Sequence, residues 1–144
     1  MAIEQDKALI RRFVEELFNH GNMGIVGEIF APDFVEREQL PPGLPEGREG
    51  VIVLTTMLRN AFPDFKATIE DIIAEGDKVV IRMTWNGTHT GGEFMGIPAT
   101  GKKVSIGVID IIRIAGGKLV EHWGQMDSML MMQQLGAIPA PAEA

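Results

Sequence analysis

The chain has 144 residues and no cysteine. That excludes a disulfide framework, a thiolate zinc site and a thiol nucleophile. Histidine is scarce, with His20, His89 and His122 alone. No two of them have the helical spacing of metal ligands, so a metal site is not expected. Basic residues are outnumbered, 13 Lys and Arg against 20 Asp and Glu, and the net charge is -7. This balance counts against a nucleic-acid partner, which asks for a basic face, and offers no basic patch to anionic lipid. No apolar run approaches the roughly 20 residues of a membrane span. Residues 1–6 lack the basic-then-apolar order of a secretory signal, and a cytoplasmic protein is expected. There is no Gly-rich phosphate loop and no nucleophilic serine elbow; the Gly91-Gly92 and Gly116-Gly117 pairs have no helix after them.

What is present suffices for one ordinary domain with a sizeable core, since 45% of residues are hydrophobic. Leu9, Ile10, Phe13, Val14, Leu17 and Phe18 fall on one stripe and predict a helix over 3–19. A short helix follows over 23–30, then an extended piece over 34–39. Residues 40–47 form a loop by composition, unusually apolar and expected to lie over something. A helix spans 48–61. Strands are predicted over 66–74, 78–88, 103–114 and 119–125, and a closing helix over 127–135. Residues 1–136 read as a single domain, and 137–144 as a flexible tail. Helices first and strands later mean α+β, with a curved antiparallel sheet wrapped over the helices. Such a cone leaves an internal cavity, where small-molecule sites concentrate. The nine methionines suit the wall of a pocket for a bulky apolar ligand.

Asp110 stands out. It lies in the β-branched run 104–114, and strand alternation puts it on the face of Val104, Ile106, Val108, Ile112 and Ile114. A carboxylate aimed into an apolar layer must be paired, protonated or put to use. A structural ion pair is one outcome; a general acid/base in a cavity is the other.

The pattern of this chain resembles the SnoaL-like polyketide cyclase family, within the cone-shaped nuclear-transport-factor-like superfamily. Four segments carry the likeness: Trp85-Asn86-Gly87-Thr88-His89-Thr90-Gly91, Phe94 to Lys102, Val108-Ile109-Asp110, and Gly117-Lys118-Leu119-Val120-Glu121-His122-Trp123. In the N-terminal half, Ala31-Pro32-Asp33-Phe34-Val35 and Gly47-Arg48-Glu49-Gly50 fit as well. The resemblance implies cofactor-free, aldol-type chemistry, with an acid/base at Asp110 and an assisting histidine at His89. It also implies a homodimer, which an open sheet face favours. One position departs. Relatives often carry Asp-His just after the first short strand, where this chain has Glu36-Arg37. An arginine cannot shuttle a proton at neutral pH, so Arg37 is expected to pair with Asp110 or to bind an anionic substrate group.

Removing a proton next to a carbonyl needs a base and a donor for the enolate oxygen. Candidate donors are His89, His122 and Arg82. Trp123 and Leu119 share a face by alternation, which puts His122 and Glu121 on opposite sides without settling which is inside. Arg82, which breaks an apolar run, either points outward or pairs with an inner carboxylate. Trp85, Phe94, Met95 and Trp123 are expected to line the wall, and Asn86 to offer a hydrogen bond. The leading expectation is therefore a cyclase-like enzyme acting on an apolar carbonyl compound. A non-catalytic binding domain with the same cavity is the alternative. Epoxide-hydrolase-like or isomerase-like chemistry ranks third, because the strand beside Asp110 offers Thr84 rather than a second Asp.

Overall fold

A computed structural model describes residues 2–40 and 42–139. Helix α1 (Ala2–Arg12) runs on without a break into a π-helical stretch, Phe13–Asn19. Its apolar stripe buries Ile10, Phe13, Val14 and Leu17. The wider π turn lets Phe13 and Phe18 lie with ring centroids 4.9 Å apart, both against the cavity described below. Helix α2 (Ile25–Ile29) leads directly into strand β1 (Phe30–Glu36). Helix α3 (Arg48–Ala61) buries Val51, Thr55 and Leu58.

Strands β2 (Lys66–Glu75), β3 (Lys78–Thr88), β4 (Lys103–Ala115) and β5 (Lys118–Met126) form an antiparallel meander. Helix α4 (Ser128–Leu135) closes the domain, its N-terminus capped by Asp127, which accepts from the Leu130 backbone N–H at 3.2 Å. The sheet order is β1-β5-β4-β3-β2. One pairing is parallel: β1 lies alongside β5, with Glu36 opposite His122. The architecture is the expected α+β cone, and its helices cover the concave face of the sheet. Of the expected tail, residues 137–139 are exposed, and 140–144 lie outside the described residues. Pro41, within the apolar loop, lies outside them too.

Strand β4 shows why the concave face is a core. Val104, Ile106, Val108, Asp110, Ile112 and Ile114 are all buried, while the residues between them face out. Strand β5 departs from such regularity. Arg113 pairs with Glu121, but Ile114 pairs with Leu119, so Val120 is an extra residue in the ladder. A bulge of this kind rotates the strand beyond it. Leu119 and His122 consequently both face inward, although they are three residues apart. Trp123 turns outward, opposite Ile111.

Candidate active site

A cavity of about 170 Å³ opens between the sheet and the helices. Most of its wall is apolar, with Phe13, Phe18, Phe34, Leu54, Trp85 and Val108 among the contributors. Four groups that titrate also reach it: Glu36, Glu38, Asp110 and His122. Among the described residues no Lys or Arg lines it.

The four converge for reasons of local structure. Asp110 occupies an inward position of β4 and is 4% exposed. The β5 bulge delivers His122 beside it, Nε2 standing 3.1 Å from Asp110 Oδ1. Glu36, inward at the end of β1, meets His122 Nδ1 in a very short hydrogen bond. Glu38 follows two residues later on the same side, and its backbone N–H donates to Glu36 Oε2 at 3.4 Å. Gly124, opposite Asp110 in the register, leaves the gap in which they meet. A methyl carbon there would stand 2.6 Å from Asp110 Oδ1, 2.7 Å from Glu38 Oε2 and 2.9 Å from His122 Cε1.

Burial alone would lower the pKa of His122. Hydrogen bonds to Asp110 and Glu36, together with their charges, overturn that effect and push it up to about 10. His122 is thus an imidazolium at neutral pH, with both N–H groups directed at carboxylates. Glu38 behaves differently. Burial raises its pKa, the charge of His122 opposes the rise, and the charges of Asp110 and Glu36 add to it. Glu36, Glu38 and His122 offer atoms within 4.8 Å of one another, the spacing of a cation site. His122 directs both ring nitrogens at carboxylates, Glu36 and Asp110, so the arrangement forms an ion-pair network.

The sequence-predicted residues divide into two groups. Asp110, His122, Trp85, Phe94 and Met95 line the cavity. Phe94 and Ile97 exchange two backbone hydrogen bonds across a tight turn. Met95 there has φ 51°, a left-handed conformation uncommon for a residue with a side chain; the side chain lies at the cavity edge. Trp85 Nε1 is buried and, among the described residues, has no hydrogen-bond partner. Gln39 and Leu40, at the start of the apolar loop, also lie against the cavity.

The others need correction. His89 is fully buried, but in the loop that joins β3 to β4 and away from the cavity. Its Nε2–H donates to the Gly92 carbonyl at 2.9 Å, its Nδ1 faces Thr100 Oγ1 at 3.4 Å, and its ring stacks on Phe62. A carbonyl can only accept, so the proton is fixed on Nε2 and the ring serves to staple the loop. Arg37 faces outward, because strand alternation puts its neighbour Glu36 inside. It donates through Nε to Glu121 at 2.7 Å rather than to Asp110. Arg82 is likewise on the convex face, bonded to Asp71 at 2.7 Å. Asn86 is exposed on that face. Trp123, turned out by the bulge, lies beneath Lys78 Nζ, 5.8 Å from its ring centroid. Sequence reasoning missed Glu36 and Glu38 as cavity residues. Two signals were available: Glu36-Arg37 stands where relatives often carry Asp-His, and alternation through Glu36-Arg37-Glu38 puts both glutamates on one side.

Comparison with known proteins gives a consistent result. The family model described as SnoaL-like polyketide cyclase matches residues 8–135. The chain is 35% identical over 136 residues to aklanonic acid methyl ester cyclase DnrD of Streptomyces peucetius, covering 89% of this chain and 88% of that one. It is 28% identical over 121 residues to nogalonic acid methyl ester cyclase of Streptomyces nogalater, covering 83% and 89%. Among solved structures, TsrD from Streptomyces laurentii superposes with a TM-score of 0.84 at 31% identity, covering 94% of this chain and 97% of that one.

Proposed function

The chain belongs to the SnoaL-like polyketide cyclase family, and on that premise we propose that it closes a ring in a polyketide ester by an intramolecular aldol reaction, without a cofactor. The observation that carries this reading is the Asp110–His122 pair at 3.1 Å, set in an otherwise apolar cavity. The Asp110 carboxylate removes a proton from a methylene next to a carbonyl. His122, a fixed positive charge, offsets the charge that the enolate develops. The enolate carbon then attacks a ketone carbon of the same molecule. Trp85 belongs to the apolar wall. Phe94 and Met95 hold the apolar body of the substrate.

The wall also favours a neutral substrate. Glu36 and Asp110 share one imidazolium, Glu38 adds a third carboxyl, and no Lys or Arg among the described residues lines the cavity, so a free carboxylate would meet uncompensated like charge. An ester does not. The two relatives named above are cyclases of methyl esters. The purified chain, given a polyketide methyl ester with a ketone and an acidic methylene, is expected to yield a cyclised isomer of unchanged mass, resolved by chromatography. Recovery of the open ketone alone, with binding but no conversion, would favour a non-catalytic domain.

The proposal includes a homodimer. On the convex face Ile73 is 61% and Ile109 49% exposed, beside the half-buried Ile111 and Trp123. A second copy can cover this patch, and light scattering is expected to give twice the monomer mass. No helix among the described residues is long and apolar enough to cross a membrane. We place the reaction in the cytoplasm, a setting with which the cysteine-free composition agrees.

A further inference from the structure

An aldol closure moves two protons, and where two carriers share the work one takes the carbon-bound proton and the other gives a proton to the new alkoxide. We infer that Glu38 is the second: a carboxylic acid, seated in the space left by Gly124, that protonates the substrate oxygen while Asp110 deprotonates carbon. The inference rests on the cyclase reading above and adds a residue to it.

Three observations carry it. Glu38 lines the cavity beside Asp110 and His122. The single cation of the cluster is already committed, since both His122 N–H groups are directed at other carboxylates, Glu36 from β1 and Asp110 from β4. Among the described residues Glu38 is therefore the carboxyl without an ion-pair partner, facing Glu36, Asp110 and His122. Gly124 is the third observation. Any side chain there would occupy the space of the Asp110 and Glu38 oxygens, and its absence lets the two carboxyls approach each other. Burial and the two neighbouring anions favour the protonated form of Glu38, and the His122 charge opposes them.

The step balances. Asp110 takes the C–H proton, and the electrons of that bond form the new C–C bond. The carbonyl π electrons become a lone pair on oxygen, which takes the proton of Glu38. Asp110 now holds a proton and Glu38 has lost one. Transfer between the two adjacent carboxyls, directly or through water, restores the starting state. No oxidant or reductant enters.

Glu38→Gln tests the role with the full chain. On a polyketide methyl ester, kcat is expected to fall about 10²-fold with KM little changed. The alkaline limb of the pH–rate profile, set by loss of the Glu38 proton, is expected to disappear. Carboxyl-carbon NMR of the free protein, assigned with the same variant, is expected to show Glu38 titrating above the ordinary glutamate range. Wild-type kcat in the variant, an unmoved alkaline limb, or an ordinary Glu38 titration would each overturn the assignment while leaving the cyclase reading standing. A wild-type chain that converts no ester removes the cyclase reading itself, and the acid role with it, whatever the NMR shows.

Discussion

Asparagine in place of Asp110 is expected to lower kcat on a polyketide ester by about 10²–10⁴-fold, the usual contribution of a positioned acid/base group. The fold should survive. Asp110 is 4% exposed and fills its site closely, and asparagine has nearly the same shape. Its amide oxygen can still accept from His122 Nε2–H, which now stands 3.1 Å from Asp110 Oδ1. What it cannot do is take a proton from carbon. Steady-state kinetics, with circular dichroism as a check on folding, separate the two effects. A folded variant within about threefold of wild-type turnover would remove Asp110 from the chemistry. The same variant discriminates between enzyme and binder, because a binding domain would answer with a change in affinity alone.

Asp110 was legible in the sequence because β4 is regular. Thirteen residues run without interruption, and one polar residue on a wholly apolar face is conspicuous at period two. The helices were legible for the same reason at period 3.6, as α3, predicted over 48–61, illustrates. His122 was a candidate from the sequence, but its inward orientation was not legible. Simple alternation groups Trp123 with Leu119 and leaves the inward face undecided. The extra residue Val120 in the β4–β5 ladder puts Leu119 and His122 on one face instead. A bulge depends on how a neighbouring strand pairs, and the local sequence of β5 does not display it.

Glu36 and Glu38 were obscured by another effect. They lie at the end of the edge strand β1, in the run Glu36-Arg37-Glu38-Gln39, whose polarity looks like that of a solvated turn. Only the parallel pairing with β5 brings Glu36 level with His122, and strand order is a tertiary fact. His89 failed in the opposite direction. Its place in the glycine-flanked stretch 87–91 resembled a reactive site at the cone's rim. The fold uses both ring nitrogens to satisfy a buried loop, a demand that arises only once the loop is packed. The β4 face therefore gave one member of the candidate site, while the partners that set its charge came from strand pairing.

That charge balance makes His122 the residue whose loss should cost most stability. His122→Gln is expected to destabilise the domain by about 3–5 kcal/mol at neutral pH, the usual cost of removing one partner from a buried ion pair. Glutamine leaves Glu36 and Asp110 in the cluster without a cation. The sign of the pH dependence follows from the raised pKa. In the folded chain Asp110 and Glu36 push His122 up from the ordinary 6.5 of an imidazole to about 10. Its proton-linked stabilisation is complete below the unfolded value and fades as the pH rises from about 6.5 towards 10. Urea unfolding midpoints of the wild type should fall across that window, and those of His122→Gln should lack this component. The deficit of the variant should also narrow on acidification, as the stranded carboxylates take up protons. A wild-type midpoint unchanged between neutral pH and pH 10 would mean that the buried imidazole is neutral. His122 would then be free to act as a base in its own right, and Asp110 would become its orienting partner.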